Sequence, residues 1–429
     1  MRTHHILSLT LTLAVALPSY AKFEVHEWGT FTSMVGSDGK TIDGMYHEDE
    51  KLPDFVHGFG EVITKETPQA PRPPSPAPTR PHPCRSKVCF SDQILDSNII
   101  TQKMETPVIY FYSDRAREVD VHVQFPEGVV TETFPAPYQT YPTRENLSRI
   151  ANGDTRFHVQ VMNEKTGNIP FVRNDNIYSH ARNVESNLIK AGNEQEKFIF
   201  YRGLGRFQPE LRITSAAGVL SVQAPARALP QAALLVYVDS QGESRMIDLK
   251  TFVPNQIKTI SSADLRCLIV RNSHSAGYCV NGTEHITSTL TTDLVQAGLN
   301  PDEAKAMLDT WKNGYLRVPG LRLLYILPRN EVDRVLPLTL SPQPEKLARV
   351  FVGRMEILLD TQEQSILRDV QAHQDQFDLK ALGRFAEPIL RRVQALYQNE
   401  SHANDEISQV LTRLIDRSKN PTAGSGVIQ

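Results

Sequence analysis

Residues 23–57 read FEVHEWGTFTSMVGSDGKTIDGMYHEDEKLPDFVH and bring His26, Glu27, Asp38, Asp43, His47, Glu48, Asp49, Glu50, Asp54 and His57 into one stretch. Imidazole nitrogens with a carboxylate suit zinc or another transition metal, and His26, His47 and Glu48 are the set that would hold a divalent ion here. Asp38, Asp43, Glu48 and Asp49 could instead offer oxygens to a hard cation such as Ca²⁺, although the alternating D-x-D-x-D-G loop is missing. A solvated acidic loop would need no ligand at all. Trp28 and Tyr46 could stack on a sugar or peptide, or fill a core.

Glu27 raises a separate problem. An extended strand from Phe23 puts Phe23, Val25, Glu27, Phe31 and Val35 on one face, and His26, Trp28, Thr30 and Thr32 on the other. Glu27 is then the polar member of an apolar face. A buried carboxylate either takes up a proton or finds a partner. Arg202, which follows the apolar run Phe198 to Tyr201 and shares a face with Phe198 and Phe200, is the expected partner. A bulge at Gly29 could instead turn Glu27 out to solvent. As a protonated acid, Glu27 could serve a hydrolase if a second carboxylate lay within roughly 5–10 Å.

Other catalytic patterns are missing. His26-Glu27 is followed by Trp28, Gly29 and Thr30, so there is no HExxH, and no Walker loop or GxGxxG occurs. There is no GxSxG elbow. Cys84, Cys89, Cys267 and Cys279 are expected to form the disulfides Cys84–Cys89 and Cys267–Cys279, one of the possible connectivities; the paired CxxC spacing of a four-cysteine zinc site is absent. Ser273-His274-Ser275 falls inside the second loop and reads as a stapled surface hairpin.

The elements that would position these residues are mostly strands. TPVIYFY, from Thr106, is a continuous apolar run. EVDVHVQF, from Glu118, and RFHVQVM, from Arg156, alternate strictly and leave His122 and His158 on a solvated face. EKFIFYRG follows, and AALLVYVDSQGESRMIDL reads as a hairpin turning at Ser240-Gln241-Gly242. The fold class expected is α+β, mostly β: an antiparallel β-sandwich over residues 22–260, a mixed α+β region over 261–358, a helical part over 359–418 and a disordered tail over 419–429. In the mixed region a helix ends at Gly298. A second is capped by Asn300, with Pro301 in its first turn, and closes at Gly314. LRLLYILP, VDRVLPLTL and KLARVFVGRMEIL read as strands, and Asp360 with Glu363 as the capping pair of the helical part. Thr67–Pro83 carries eight prolines and reads as an extended exposed loop.

The first 21 residues have the form of a signal peptide cleaved after Ala21, and no later apolar run is long enough to span a bilayer. The mature chain is therefore expected in the periplasm or outside the cell. Net charge −3 gives no footprint for nucleic acid. The strings HEWGTFTS, DGMYHEDEKLPDFVH, KMETPVIYFYS, EKFIFYRGLG, LLYILPR and RVFVGRMEIL occur in this order. In them the chain resembles an uncharacterised family of exported bacterial proteins. The resemblance implies an exported bacterial protein and assigns no chemistry. The function expected is a noncatalytic exported ligand- or protein-binding envelope protein. The alternative is a metal-dependent hydrolase centred on the HEW strand and the YHEDE loop.

Overall fold

The structure, a computed structural model, describes residues 22–48, 51–59, 94–95, 98–270, 279–399 and 403–419. The expected signal peptide, the proline-rich loop, Asp49, Glu50, Cys84, Cys89, the Ser273–Ser275 turn and the tail from residue 420 lie outside the described residues.

The fold is α+β. In chain order the strands are β1 (Phe23–Val35), β2 (Gln102–Ser113), β3 (Arg117–Phe125), β4 (Gly128–Phe134), β5 (Gln139–Tyr141), β6 (Gly153–Val161), β7 (Ile189–Ala191), β8 (Glu194–Glu196) and β9 (Phe198–Gly205). They continue with β10 (Arg212–Ala216), β11 (Val219–Gln223), β12 (Ala233–Val238), β13 (Ser244–Asp248), β14 (Ile257–Ile260), β15 (Val280–Asn281), β16 (Gly320–Ile326), β17 (Leu338–Ser341) and β18 (Lys346–Ile357). The longer helices are α1 (Ser262–Ile269), α2 (Thr283–Gln296), α3 (Pro301–Leu316), α4 (Arg329–Val335), α5 (Asp360–His373), α6 (Ala386–Gln398) and α7 (Asp405–Lys419).

Nine strands form one sheet in the order β15-β13-β12-β16-β18-β1-β2-β9-β4. β1 runs parallel to β18 and antiparallel to β2, so the sheet is mixed and takes strands from both sides of residue 260. A strand paired on both edges and covered on both faces is shielded from water along its length, so each of its polar side chains needs a partner. Of β1's residues only Glu24 is partly exposed.

One face of the sheet packs Trp28, Tyr110, Phe200 and Val352 against Leu290 of α2 and Met307 and Trp311 of α3. The other packs Phe31, Ile199 and Phe351 against Val121, Phe125 and Phe157, which belong to a second sheet, β17-β3-β6-β7-β8, with β5 beside β6. There β3 and β6 alternate as their sequences predict. Their valines are buried, and His122 and His158 face outward beside Asp154 at 2.7 Å and Asp120 at 2.8 Å. Helices α5, α6 and α7 close the end of the large sheet where β1 and β18 finish, through Met34, Leu358, Val370, Leu390 and Val410. A three-stranded sheet, β10-β11-β14, and α1 pack on residues of β12, β13 and β16.

Three local expectations need correction. VDRVLPLTL is a strand only at its end: α4 occupies its start and β17 begins at Leu338. Val332, Val335 and Leu336 have helical i, i+3, i+4 spacing, and all three are buried. Helix α3 continues past Gly314 to Leu316, because Gly314 makes room for the Arg354 guanidinium; a Cβ there would lie 3.0 Å from Arg354 Nη1. Glu363 does not cap α5. Its carboxylate accepts from Ser37 N, Ser37 Oγ and Arg392 Nε, while Gln362 Oε1 accepts from Leu359 N at 3.0 Å.

The hairpin at Ser240–Gly242 joins β12 to β13, and Gly298, at φ +121°, follows α2. The disulfide Cys267–Cys279 is present, with its Cα atoms 6.2 Å apart. Among the described residues no helix is long and apolar enough to cross a membrane.

Candidate functional site

The parallel pairing of β1 with β18 sets Glu27 beside Arg349. Arg349 Nε donates to Glu27 Oε2 at 2.5 Å, and Tyr201 Oη donates to Glu27 Oε1. Arg349 Nη1 reaches Asp333 Oδ1 at 2.7 Å and Nη2 reaches Leu336 O at 2.7 Å, so all three guanidinium nitrogens are bonded. Burial opposes the charge on Arg349, but Glu27 outweighs it and the guanidinium pKa lies above its ordinary value. Burial and the Glu27 charge together push the Tyr201 phenol well up.

The expected partner Arg202 is therefore not the one Glu27 finds. Arg202 shares its face with Phe198 and Phe200, which pack with Trp28, whereas Glu27 lies among the residues of the opposite face. The ladder irregularity between Trp28 and Thr30 does not expose Glu27, which stays fully buried.

His26 is held on α3. Its Nδ1 lies 2.9 Å from Glu303 Oε2, and Glu303 also accepts from Tyr112 Oη at 2.6 Å and from Asn300 N at 2.6 Å. A carboxylate can only accept, so His26 carries its proton on Nδ1. Nε2 is buried without a hydrogen-bond partner and faces Glu24 Oε2 at 3.8 Å.

His47 belongs to another carboxylate, on α6. Its Nε2 lies 2.8 Å from Glu387 Oε2, and Glu387 also takes Tyr46 Oη and Arg391 Nε. Burial raises the Glu387 carboxyl, but the hydrogen bonds from His47, Tyr46 and Arg391 outweigh it and its pKa lies below the ordinary range. Burial wins at nearby Asp43, whose carboxyl is raised. Glu48 in turn lies 2.5 Å from Lys103 Nζ and 3.3 Å from Arg202 Nη1. The three proposed ligands, His26, His47 and Glu48, thus turn to Glu303, Glu387 and Lys103. Among the described residues no group of three or more His, Cys, Asp or Glu could hold a metal ion.

Glu48 and Arg202 instead open onto a larger feature. On the face of the large sheet that carries Trp28, charged and hydroxyl side chains cross six adjacent strands. They are Arg322 on β16, Arg354 and Glu356 on β18, Thr30 and Thr32 on β1, Lys103 and Glu105 on β2, Arg202 on β9, and Glu132 opposite Arg202 on β4. All are buried. Glu356 Oε1 receives Arg354 Nε at 2.6 Å, and Arg322 Nε donates to Oε2 at 3.3 Å while lying 3.0 Å from Oε1. Glu105 receives Thr32 Oγ1 at 2.9 Å, Lys103 Nζ at 3.0 Å and Arg384 Nη1 at 3.0 Å.

Burial by itself would raise both carboxyls. Arg384, Lys103 and Arg354 hold Glu105 well below the ordinary range, and Arg322 and Arg354 hold Glu356 below it. Burial also pushes the Arg322 guanidinium down to about 10 despite Glu356. The sequence carried a signal for this stripe: Lys103 with Glu105, and Arg354 with Glu356, are polar pairs two apart inside otherwise apolar runs.

The stripe reaches a small pocket, with about 10 Å³ open to a water-sized molecule, bordered by Tyr46, His47, Lys103, Arg384 and Phe385. Another, of similar size, lies between Phe207, Tyr325 and three prolines; its acidic border residues Glu210 and Glu331 both lie within 4 Å of Arg334. No family model matches the chain, and no curated protein matches it.

Proposed function

We propose that the protein is an exported, noncatalytic binding protein of the periplasm or extracellular space, and that it takes a small ligand in the pocket between Tyr46, His47, Lys103, Arg384 and Phe385. The observation that carries this reading is the meeting of that pocket with the buried charge stripe through Lys103 and Arg384. The room inside the pocket open to a water-sized molecule is about 10 Å³, enough for roughly one water, so even a ligand of few atoms enters only when a wall of the pocket moves. Polar groups that converge beside an aromatic wall supply orientation and specificity. The residues a hydrolase would recruit are already engaged, Glu27 with Arg349 and Tyr201, and His26 with Glu303. Export is supported by the apolar N-terminal stretch and by the Cys267–Cys279 disulfide, since such bonds persist in oxidising compartments.

The test is a thermal-shift and calorimetric screen of the purified mature protein against small polar metabolites, each hit being repeated on His47→Ala and Arg384→Met. Saturable binding weakened at least tenfold by either substitution is expected, with the ligand recovered unchanged. Binding indifferent to both substitutions, or turnover of the ligand, would overturn the reading.

A further inference from the structure

One member of the stripe leaves most of its bonding capacity unused. Arg354 is fully buried and its Nε is bonded to Glu356, yet neither Nη1 nor Nη2 has a hydrogen-bond partner. Buried guanidinium nitrogens without acceptors are rare in native proteins and call for an unseen partner. Cations lie around Arg354: Lys103, Arg202, Arg322 and Arg384 belong to the stripe and its cover. Lys103 is engaged, its Nζ meeting His47 O at 2.7 Å, Glu48 at 2.5 Å and Glu105 at 3.0 Å.

Arg354 is also close to the pocket. Its Cζ lies 5.7 Å from the centre of the Phe385 ring, and that ring borders the pocket and carries Arg384 Cζ at 4.8 Å. Phe385 follows Arg384 and Gly383. Gly383 has φ 55° and ψ −144°, a conformation that essentially only glycine adopts, and a Cβ there would meet nothing within 4 Å. The ring thus hangs on a glycine joint.

We propose that the ligand of this pocket carries a compact oxyanion, the carboxylate or phosphate group of a small molecule, which passes the Phe385 ring and is held by Nη1 and Nη2 of Arg354. The two terminal amino groups of a guanidinium form a fork that matches two oxygens of either group. The inference rests on the binding-protein reading and names the chemistry of its ligand.

The experiment titrates the full mature protein with sodium acetate and with inorganic phosphate at constant ionic strength, chloride being the control, by calorimetry and thermal shift. At least one oxyanion should bind saturably. Arg354→Met should weaken it at least tenfold, and Arg354→Lys, which keeps the charge but not the fork, should weaken it less. Acetate without phosphate names a carboxylate ligand, and phosphate without acetate a phosphate. If neither anion binds better than chloride, or a folded Arg354→Met binds as the wild type does, the inference is wrong. Should Arg354→Met not fold, Arg354→Lys decides: unchanged affinity in it overturns the inference. A neutral molecule that binds and is lost with His47→Ala, while both oxyanions fail, overturns this inference and leaves the binding-protein reading standing.

Discussion

Two buried arginines of the same strand, Arg349 and Arg354, sit on opposite faces of the large sheet and are bonded very differently. Arg349 uses all three nitrogens, on Glu27, Asp333 and Leu336 O, beneath a second sheet that seals it. Arg354 uses one nitrogen, on Glu356, below a wall that includes a pocket-lining phenylalanine. Both charges are equally hidden from water, so burial alone does not separate a structural ion pair from a site awaiting a ligand. The distinction lies in bonding: a closed network matches every donor, whereas a site keeps some in reserve.

The largest effect should come from opening the closed network. Arg349→Met leaves Glu27 buried with only Tyr201 as donor, and such a broken pair costs ~3–5 kcal/mol. Replacing both partners, as in Glu27→Leu with Arg349→Met, should recover most of that loss, since a buried pair and a well-packed apolar pair are often comparable in stability. Denaturant unfolding of wild type, single and double variants measures both quantities. A single-variant cost under ~1 kcal/mol would mean that the network is not what holds this face together.

A smaller loss is expected on the other face. Glu105→Gln keeps an acceptor for Thr32 but removes the charge shared by Lys103 and Arg384, and should cost ~2–4 kcal/mol at neutral pH. The pH dependence identifies the cause. The folded pKa of Glu105 is depressed, so its contribution is complete above the ordinary value near 4.5 and is lost as the pH falls through the lowered folded value. The gap between wild type and Glu105→Gln should therefore be constant from neutral pH down to about 5 and close in stronger acid. A gap that widened in acid would mean that Glu105 is destabilised, not stabilised, by its cationic neighbours.

How far these two regions were legible in the sequence follows from the range of the interactions that make them. Alternation in FEVHEWGTF put Glu27 on an apolar face and demanded a partner, and the structure buries it there. The partner could not be read, because Glu27 and Arg349 are 322 residues apart and meet only through the parallel register of β1 with β18. Arg202 was a reasonable substitute by pattern, but strand parity places it on the other face. The same parity shows Lys103 with Glu105, and Arg354 with Glu356, as pairs facing one way. What local pattern cannot show is that the register aligns them into a single stripe with Arg322, Thr32 and Arg202. His26 and His47 looked close because the chain between them is short. A long β1 carries them apart, and helices α3 and α6, from distant parts of the chain, supply each with its own carboxylate. The helical spacing of Val332, Val335 and Leu336 was readable, but the β-branched run around it suggested a strand.

The smallest effect, and the one most damaging to the comparison if it failed, belongs to Arg354→Met. Removing this guanidinium costs Glu356 one bond of 2.6 Å, but Glu356 keeps Arg322 at 3.0 Å and is not left alone. Against that loss stands the relief of two buried amino groups that have no acceptor, each worth ~1–3 kcal/mol when unsatisfied. The methionine also covers much of the volume of the arginine stem and packs well beside an aromatic ring such as Phe385. The terms nearly cancel, so the unfolding free energy should change by only ~0–2 kcal/mol, below the cost of Arg349→Met in the same denaturant series. An equal cost for the two substitutions would mean that the fold depends on Arg354 no less than on Arg349. A small change would leave its free amino groups without a structural purpose, which is what a binding group requires.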